Sequence, residues 1–190
     1  MLGFLVMSTD TKEKRITPED LLAMPGGENY ELVGGRLVER GMGAESEWVA
    51  GEVAHLIRTF LQAHPIGWEM GQSSYQCFSE PGRVRKPDAS VIRRGRLADE
   101  KIPRGHVRIA PDLVVEVVSP NDEYSEVQEK IGEYLLAGVS LAWVIDPATC
   151  TVQVYRKGSP ASLRLQQGDE LQGEDVLPGF VCRVKDLFPP

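Results

Sequence analysis

Apolar and polar residues recur with two different periods along this chain. In ESEWVAGEVAHLIRTFLQAH (45–64) the apolar positions follow helical spacing, which predicts an amphipathic helix. Its predicted buried face consists of Val49, Val53, Leu56, Ile57 and Phe60. A second helix is predicted over SEVQEKIGEYLLAG (125–138), where apolar residues again share one face and a glycine ends the pattern.

Shorter apolar runs predict strands between and after these helices. They are SSYQCF (73–78), DASVIR (88–93), DLVVEVV (112–118), LAWVID (141–146) and TVQVYR (151–156). Nearer the N-terminus, a short helix is predicted after Thr17, and NYELVGGRLVER reads as a hairpin around Gly34 and Gly35. Together these elements predict one α/β domain over residues 17–190, with a mixed central sheet and two principal helices. Residues 1–16 are predicted to be a flexible segment.

Composition narrows the class of protein without identifying it. A chain of 190 residues with 42% apolar and 26% charged residues is expected to form one well-cored domain. The net charge of −7 argues against a broad nucleic-acid-binding surface. It leaves room for a local basic patch, and GRVRKP (82–87) with RRGR (93–96) is one such cluster.

The cysteines and the N-terminal residues bear on location. Three scattered cysteines without a CxxC spacing suggest neither a zinc site nor a disulfide framework, and predict reduced thiols in a cytoplasmic protein. The apolar opening MLGFLVM is too short for a signal peptide or a membrane span, so no membrane association is expected.

Glu116 is the residue that the strand pattern does not explain. It lies among valines in DLVVEVV, a run so apolar that both faces of the strand are expected to be covered. A buried carboxylate needs a partner or a metal ion, because leaving it unpaired costs several kcal/mol. Asp88, at the start of another strand, and Lys130, on the following helix, are further charges in unexpected places. A structural ion pair with a turn-forming aspartate would account for the same spacing.

The alternative interpretation of these three residues is phosphodiester hydrolysis. Asp88 and Glu116 would hold Mg²⁺ or Mn²⁺, hard cations that take oxygen ligands, with the Val117 carbonyl as a further ligand. Lys130 would orient the attacking water or stabilise charge developing on the phosphate. A two-carboxylate glycosidase is a weaker hypothesis, because a nearby lysine does not suit it.

Several segments in the same order resemble the Uma-two family of putative restriction endonucleases, which belongs to the PD-(D/E)XK nuclease superfamily. These segments are YELVGGRLV, KPDASVIRR, APDLVVEVVSPND, EVQEKIGEYLLAGVSLAWVIDP and LPGF. The resemblance runs from about Thr17 to the end of the chain. It implies a restriction-endonuclease-like core, with a mixed central β-sheet flanked by α-helices, a divalent-metal site and cleavage of DNA.

Position by position, the resemblance assigns the motif aspartate to Asp88 and the motif acid to Glu116. The superfamily lysine would stand two residues after that acid, where this chain has Val118. Family members carry it on the following helix, where Lys130 takes its place. A first-helix acid can support the metal in such nucleases, and Glu45 or Glu52 is the possible supporting acid here.

The remaining expectations concern partners. Basic residues on both sides of Asp88 are the DNA-binding candidates: Arg83, Arg85, Lys86, Arg93, Arg94 and Arg96. Glu31, in YELVGG, is predicted to face solvent on the hairpin, and the alternative, from its place in a recurring family stretch, is that it borders the cleft. A lone cleavage domain commonly dimerises to cut both strands, so a homodimer is expected. The alternative function is a catalytically weak or inactive nuclease-fold module that binds DNA or assembles with a partner.

Overall fold

The computed structural model describes residues 15–41 and 43–190, and most of the predicted N-terminal segment lies outside them. The helices are α1 (Pro18–Ala23), α2 (Ala44–Ala63) and α3 (Tyr124–Ala137). The strands begin with β1 (Tyr30–Val33), β2 (Arg36–Glu39), β3 (Gly67–Glu69), β4 (Ala89–Arg93) and β5 (Leu113–Val117). They continue with β6 (Leu141–Asp146), β7 (Thr151–Arg156), β8 (Leu163–Leu165), β9 (Glu170–Gln172) and β10 (Val181–Arg183).

Six of the strands form the central sheet, in the order β3-β4-β5-β6-β7-β8. Strands β5 and β6 are parallel, and every other neighbouring pair is antiparallel. Parallel neighbours need a crossover connection, and α3 supplies it between β5 and β6. The predicted mixed sheet with two principal helices is confirmed.

The two faces of β5 pack against different helices. Leu113, Val115 and Val117 belong to the large core cluster that also contains the buried face of α2. Val114 belongs to a second cluster with Ile131 and other residues of α3. Glu116 points to the same side as Val114, because side chains alternate along a strand. The carboxylate therefore lies beneath α3.

A separate hairpin, β1–β2, lies outside the central sheet. Its turn residues Gly34 and Gly35 have φ values of 59° and 79°, the left-handed conformation that a two-residue hairpin turn requires. Leu32 pairs with Val84 through two backbone hydrogen bonds, which fix the hairpin to the segment that leads into β4. This contact brings the hairpin to the end of the sheet where β4 begins.

Some predicted elements differ from those observed. The strand predicted over residues 73–78 is wrong, because Tyr75 forms only isolated bridges with Arg85 and Val107. The C-terminal LPGF stretch, whose packing the pattern did not determine, contributes Leu177 and Phe180 to the core around α2. Within the described part of the chain, no helix has both the length and the hydropathy needed to cross a membrane.

Phe180 tests the contribution of the C-terminal segment to the core. Its ring lies 5.5 Å from that of Phe60 and 5.8 Å from that of Trp143, and it is almost fully buried. Phe180→Ala is expected to lower the free energy of unfolding by about 3 to 5 kcal/mol, because it opens a cavity. Urea denaturation measures the change. Val181→Ala, at the neighbouring half-exposed position, is the control and should change it by less than about 0.5 kcal/mol.

Candidate active site

Asp88 and Glu116 are brought together by the antiparallel pairing of β4 and β5. Asp88 immediately precedes β4, and its backbone N–H donates to the carbonyl of Val115 at 2.9 Å. Its Oδ2 accepts the backbone N–H of Val117 at 2.7 Å. Asp88 is therefore fixed to β5 beside Glu116, at the end of the sheet that adjoins the hairpin.

Lys130 reaches Glu116 from the helix above. Lys130 and Tyr134 are four residues apart on α3 and so share the face that covers β5. The Lys130 Nζ lies 2.8 Å from Glu116 Oε2. The three residues predicted from the sequence thus line one cleft of about 250 Å³.

Glu31 joins this group, and the prediction that it faces solvent is wrong. Only 3% of the residue is exposed, and its carboxylate binds three donors. Lys130 Nζ lies 3.0 Å from Oε1, Arg85 Nη1 lies 2.9 Å from Oε2, and the N–H of Lys86 donates to Oε1 at 2.7 Å. The alternation in YELV contained a signal for this burial, because Glu31 shares its face with the apolar Val33.

The two carboxylates that share Lys130 differ in what else they contact. Burial tends to raise the pKa of Glu31, but Lys130, Arg85 and the Lys86 N–H outweigh it and lower that pKa to about 2. Burial dominates at Glu116, where Lys130 opposes it only in part, and raises the pKa to about 7. The Tyr134 hydroxyl also interacts with Glu116. Glu116 therefore has fewer cationic partners than Glu31.

The pKa values of Lys130 and Asp88 are both raised, but for different reasons. Burial would lower the pKa of Lys130, but the carboxylates of Glu116, Glu31 and Asp88 raise it well above its ordinary value. The amine therefore stays protonated. Burial raises the pKa of Asp88, although Lys130, the Val117 N–H and Arg40 act against the shift.

The donor set at this end of the sheet suits a hard divalent cation. Across residues 15–41 and 43–190, no three His, Cys, Asp or Glu side chains are placed to hold a metal ion together. Asp88 and Glu116 supply two carboxylates in one cleft, and Val117, the residue after Glu116, lines it as well. Mg²⁺ commonly binds to one or two carboxylates and keeps several waters, so a two-carboxylate site fits it.

The lining of the cleft is acidic. Three cationic residues face it: Arg40, Arg85 and Lys130. Seven carboxylates face it: Glu31, Glu39, Asp88, Glu116, Asp122, Glu126 and Glu129. This excess attracts cations and repels phosphate groups.

The first-helix acids Glu45 and Glu52 do not line the cleft, and Glu45 is exposed. Their supporting role stays a prediction. The buried residue in this part of α2 is Ser46, whose hydroxyl donates to the carbonyl of Val118 at 3.1 Å. Ser46 thus ties the start of α2 to the residues that follow Glu116.

The six DNA-binding candidates occupy three environments. Arg83 pairs with Glu80 and Glu133. Arg85 is buried against Glu31 and Glu133. The Nζ group of Lys86 donates hydrogen bonds to the carbonyls of Gly27 and Glu28. Arg93 and Arg96 pair with Asp112, and Arg94 stacks over Trp68. Arg93 ends β4 and the other two follow it, so all three lie at the end of the strand opposite to Asp88. Of the six, only Arg85 lines the cleft. Their contact with DNA stays a prediction.

The fold is an α/β domain with a mixed β-sheet and a helix on each face of that sheet. Two carboxylates and a lysine lie at one end of the sheet. A solved structure, described as a putative nuclease belonging to DUF820 from Anabaena variabilis ATCC 29413, has this fold with a TM-score of 0.76. The two sequences are 23% identical, and the match covers 91% of this chain and 97% of that one. The predicted restriction-endonuclease-like fold is thereby confirmed.

The family follows from a match to the sequence itself. The model of Uma2, described as putative restriction endonuclease, matches residues 18–185. The chain belongs to the Uma2 family of putative restriction endonucleases, as its sequence motifs indicated. The search of curated proteins gave no match.

Glu31 allows a test of the buried charge network through stability. Its lowered pKa means that the folded protein favours the ionised form by about 3 kcal/mol, since one pKa unit corresponds to about 1.4 kcal/mol. Glu31→Gln is expected to lose about this much at neutral pH. The difference from the unsubstituted protein should shrink as the pH falls from about 4.5 toward about 2, where the carboxylate becomes protonated in both states.

Urea denaturation over this pH range measures both free energies of unfolding. Glu39→Gln removes an exposed carboxylate from the same hairpin and should change stability by less than about 0.5 kcal/mol at every pH. A loss for Glu31→Gln that does not vary with pH would contradict the assignment.

Proposed function

We propose that this protein is a DNA endonuclease that depends on Mg²⁺ or Mn²⁺ and hydrolyses phosphodiester bonds with Asp88, Glu116 and Lys130. The observation that carries the proposal is that three charged side chains line one cleft: Asp88 at the start of β4, Glu116 on β5, and the amine of Lys130, 2.8 Å from Glu116.

Each side chain has a distinct part in the proposed reaction. Asp88 and Glu116, with the Val117 carbonyl, would hold the divalent cation. When bound, that cation polarises the phosphate and lowers the pKa of a water molecule. Lys130 keeps its proton, so it donates hydrogen bonds rather than acting as a base. It would orient the attacking water or stabilise negative charge on the phosphate. Glu31 keeps the ammonium of Lys130 in place.

Membership of the Uma2 family supports DNA as the substrate, and the acidic cleft suggests how DNA approaches. Seven carboxylates repel a phosphodiester, so the divalent cation would be needed for the backbone to enter as well as for cleavage. The exposed basic residues at the opposite end of β4 would bind DNA only outside this cleft.

A symmetric homodimer remains part of the proposal. One site cuts one strand, and the two strands of a duplex run in opposite directions, so a two-fold pair places one site on each strand. Sedimentation velocity with and without duplex DNA measures the oligomeric state. A protein that stays monomeric in both and still cuts both strands would contradict it.

The catalytic assignment predicts the effect of removing the lysine. Lys130→Met is expected to reduce the cleavage rate about 100-fold or more, because it removes a donor that stabilises transition-state charge. The rate is measured with Mg²⁺ and with Mn²⁺ on supercoiled, linear duplex and single-stranded DNA. Asp88→Asn and Glu116→Gln should show comparable losses.

Lys101→Met is the matched control, since this exposed lysine lies outside the cleft, and it should cleave at the unsubstituted rate. Equal rates for the unsubstituted protein and Lys130→Met on every substrate would refute the assignment. Metal and DNA binding without turnover would instead support the alternative, a nuclease-fold binding module.

A further inference from the structure

Arg40 contacts Asp88 Oδ1, the carboxylate oxygen that accepts no hydrogen bond from β5. Its Nη2 lies 2.6 Å from Asp88 Oδ1, and its Nη1 donates to Gln72 Oε1 at 3.1 Å. The Arg40 side chain is only 11% exposed and lines the cleft. With Val117 N–H on Oδ2, both oxygens of Asp88 are engaged. Neither the strand pattern nor the family motifs pointed to Arg40.

Arg40 is positioned by backbone contacts of the hairpin. It directly follows β2, and its N–H donates to the carbonyl of Asn29 at 2.9 Å. The next residue, Gly41, is exposed, and a Cβ there would meet nothing within 4 Å. The hairpin thus delivers a guanidinium to Asp88 next to a stretch of backbone with open space around it.

Each carboxylate at this end of the sheet already pairs with a cation. Asp88 pairs with Arg40, Glu116 with Lys130, and Glu31 with both Lys130 and Arg85. A divalent cation bound to Asp88 and Glu116 would add two positive charges beside the guanidinium. Like charges at such short separation repel strongly in a buried site.

We propose that Arg40 is a counter-ion that occupies the cation site at Asp88 and leaves this carboxylate when a divalent cation binds. This inference rests on the proposed function, because it assumes that Asp88 is a metal ligand. Lys130 and Arg85 cannot make the same exchange, since each is held by Glu31 and by a second carboxylate. Arg40 contacts the carboxylate of Asp88 and also the neutral amide of Gln72.

The exchange has a physical purpose in the metal-free protein. Asp88 is buried, and a buried carboxylate without a partner destabilises the fold. A planar guanidinium matches carboxylate geometry and stays charged at every working pH, so it gives Asp88 a permanent ion-pair partner. Arg40 thereby lowers the affinity for metal while it preserves the site that receives it.

The experiment measures Mn²⁺ binding directly, by electron paramagnetic resonance of free Mn²⁺ and by calorimetry, without DNA. Arg40→Gln is expected to bind Mn²⁺ about tenfold more tightly than the unsubstituted protein, because the competing charge is gone. Arg40→Met should show the same change and serves if the glutamine variant does not fold. Asp88→Asn should abolish binding.

Arg36→Gln is the matched control for the loss of one positive charge. Arg36 is an exposed residue of β2 that does not line the cleft, so its removal should leave the Mn²⁺ affinity within about twofold of the unsubstituted value. If Arg36→Gln tightens binding as much as Arg40→Gln, a general charge effect explains the result and the counter-ion role is refuted.

The other outcomes separate this inference from the proposed function. If the unsubstituted protein binds Mn²⁺ and Asp88→Asn does not, but neither Arg40 variant binds more tightly, the counter-ion role is wrong and the metal site stands. If neither the unsubstituted protein nor the Arg40 variants bind Mn²⁺, the proposed metal dependence fails, and the counter-ion role fails with it.

Discussion

One ammonium group, that of Lys130, joins three separately formed parts of this protein. It lies 2.8 Å from Glu116 on the central sheet and 3.0 Å from Glu31 on the hairpin, while its own backbone belongs to α3. All three side chains are largely removed from water, so removing Lys130 would take a cation away from two buried carboxylates. The shared cation therefore links hairpin, sheet and helix around the cleft.

Lys130 pairs with both Glu31 and Glu116, but these two carboxylates differ in the other donors that they bind. Glu31 binds two further donors, Arg85 Nη1 and the backbone N–H of Lys86, and is held ionised. Glu116 binds Lys130, and the Tyr134 hydroxyl interacts with it as well. Glu116 therefore has fewer cationic partners than Glu31, and it lines the cleft together with Asp88. The surrounding carboxylates keep Lys130 protonated.

The interior of the cleft and the outer surface have opposite electrostatic roles. Carboxylates outnumber cations around the cleft, whereas Arg93, Arg94 and Arg96 lie at the far end of β4. Three of the basic residues nearest to Asp88 in sequence have their charges occupied: Arg83, Arg85 and Lys86. Proximity along the chain was thus a poor guide to which cations face the site. Arg40, 48 positions before Asp88, is the one that contacts it.

Periodicity was enough to predict the elements whose burial is continuous. Helices α2 and α3 and strands β4 to β7 each carry a clear apolar pattern, so local sequence predicts them. The three-residue strands β3, β8, β9 and β10 have too few positions for a period, and pairing partners define them. The run at 73–78 looked like a strand, but Tyr75 makes isolated bridges on both sides.

The amino-acid sequence alone placed Asp88, Glu116 and Lys130 as charges that a core would not otherwise contain, and its motifs indicated the family. It could do so because β5 and α3 show their buried positions as local apolar patterns, in which a charged residue stands out. Glu31 and Arg40 belong to a hairpin whose position is set by long-range contacts with the segment before β4. Only the tertiary structure decided that these two side chains enter the site, because a two-stranded hairpin can bury either face until something packs against it.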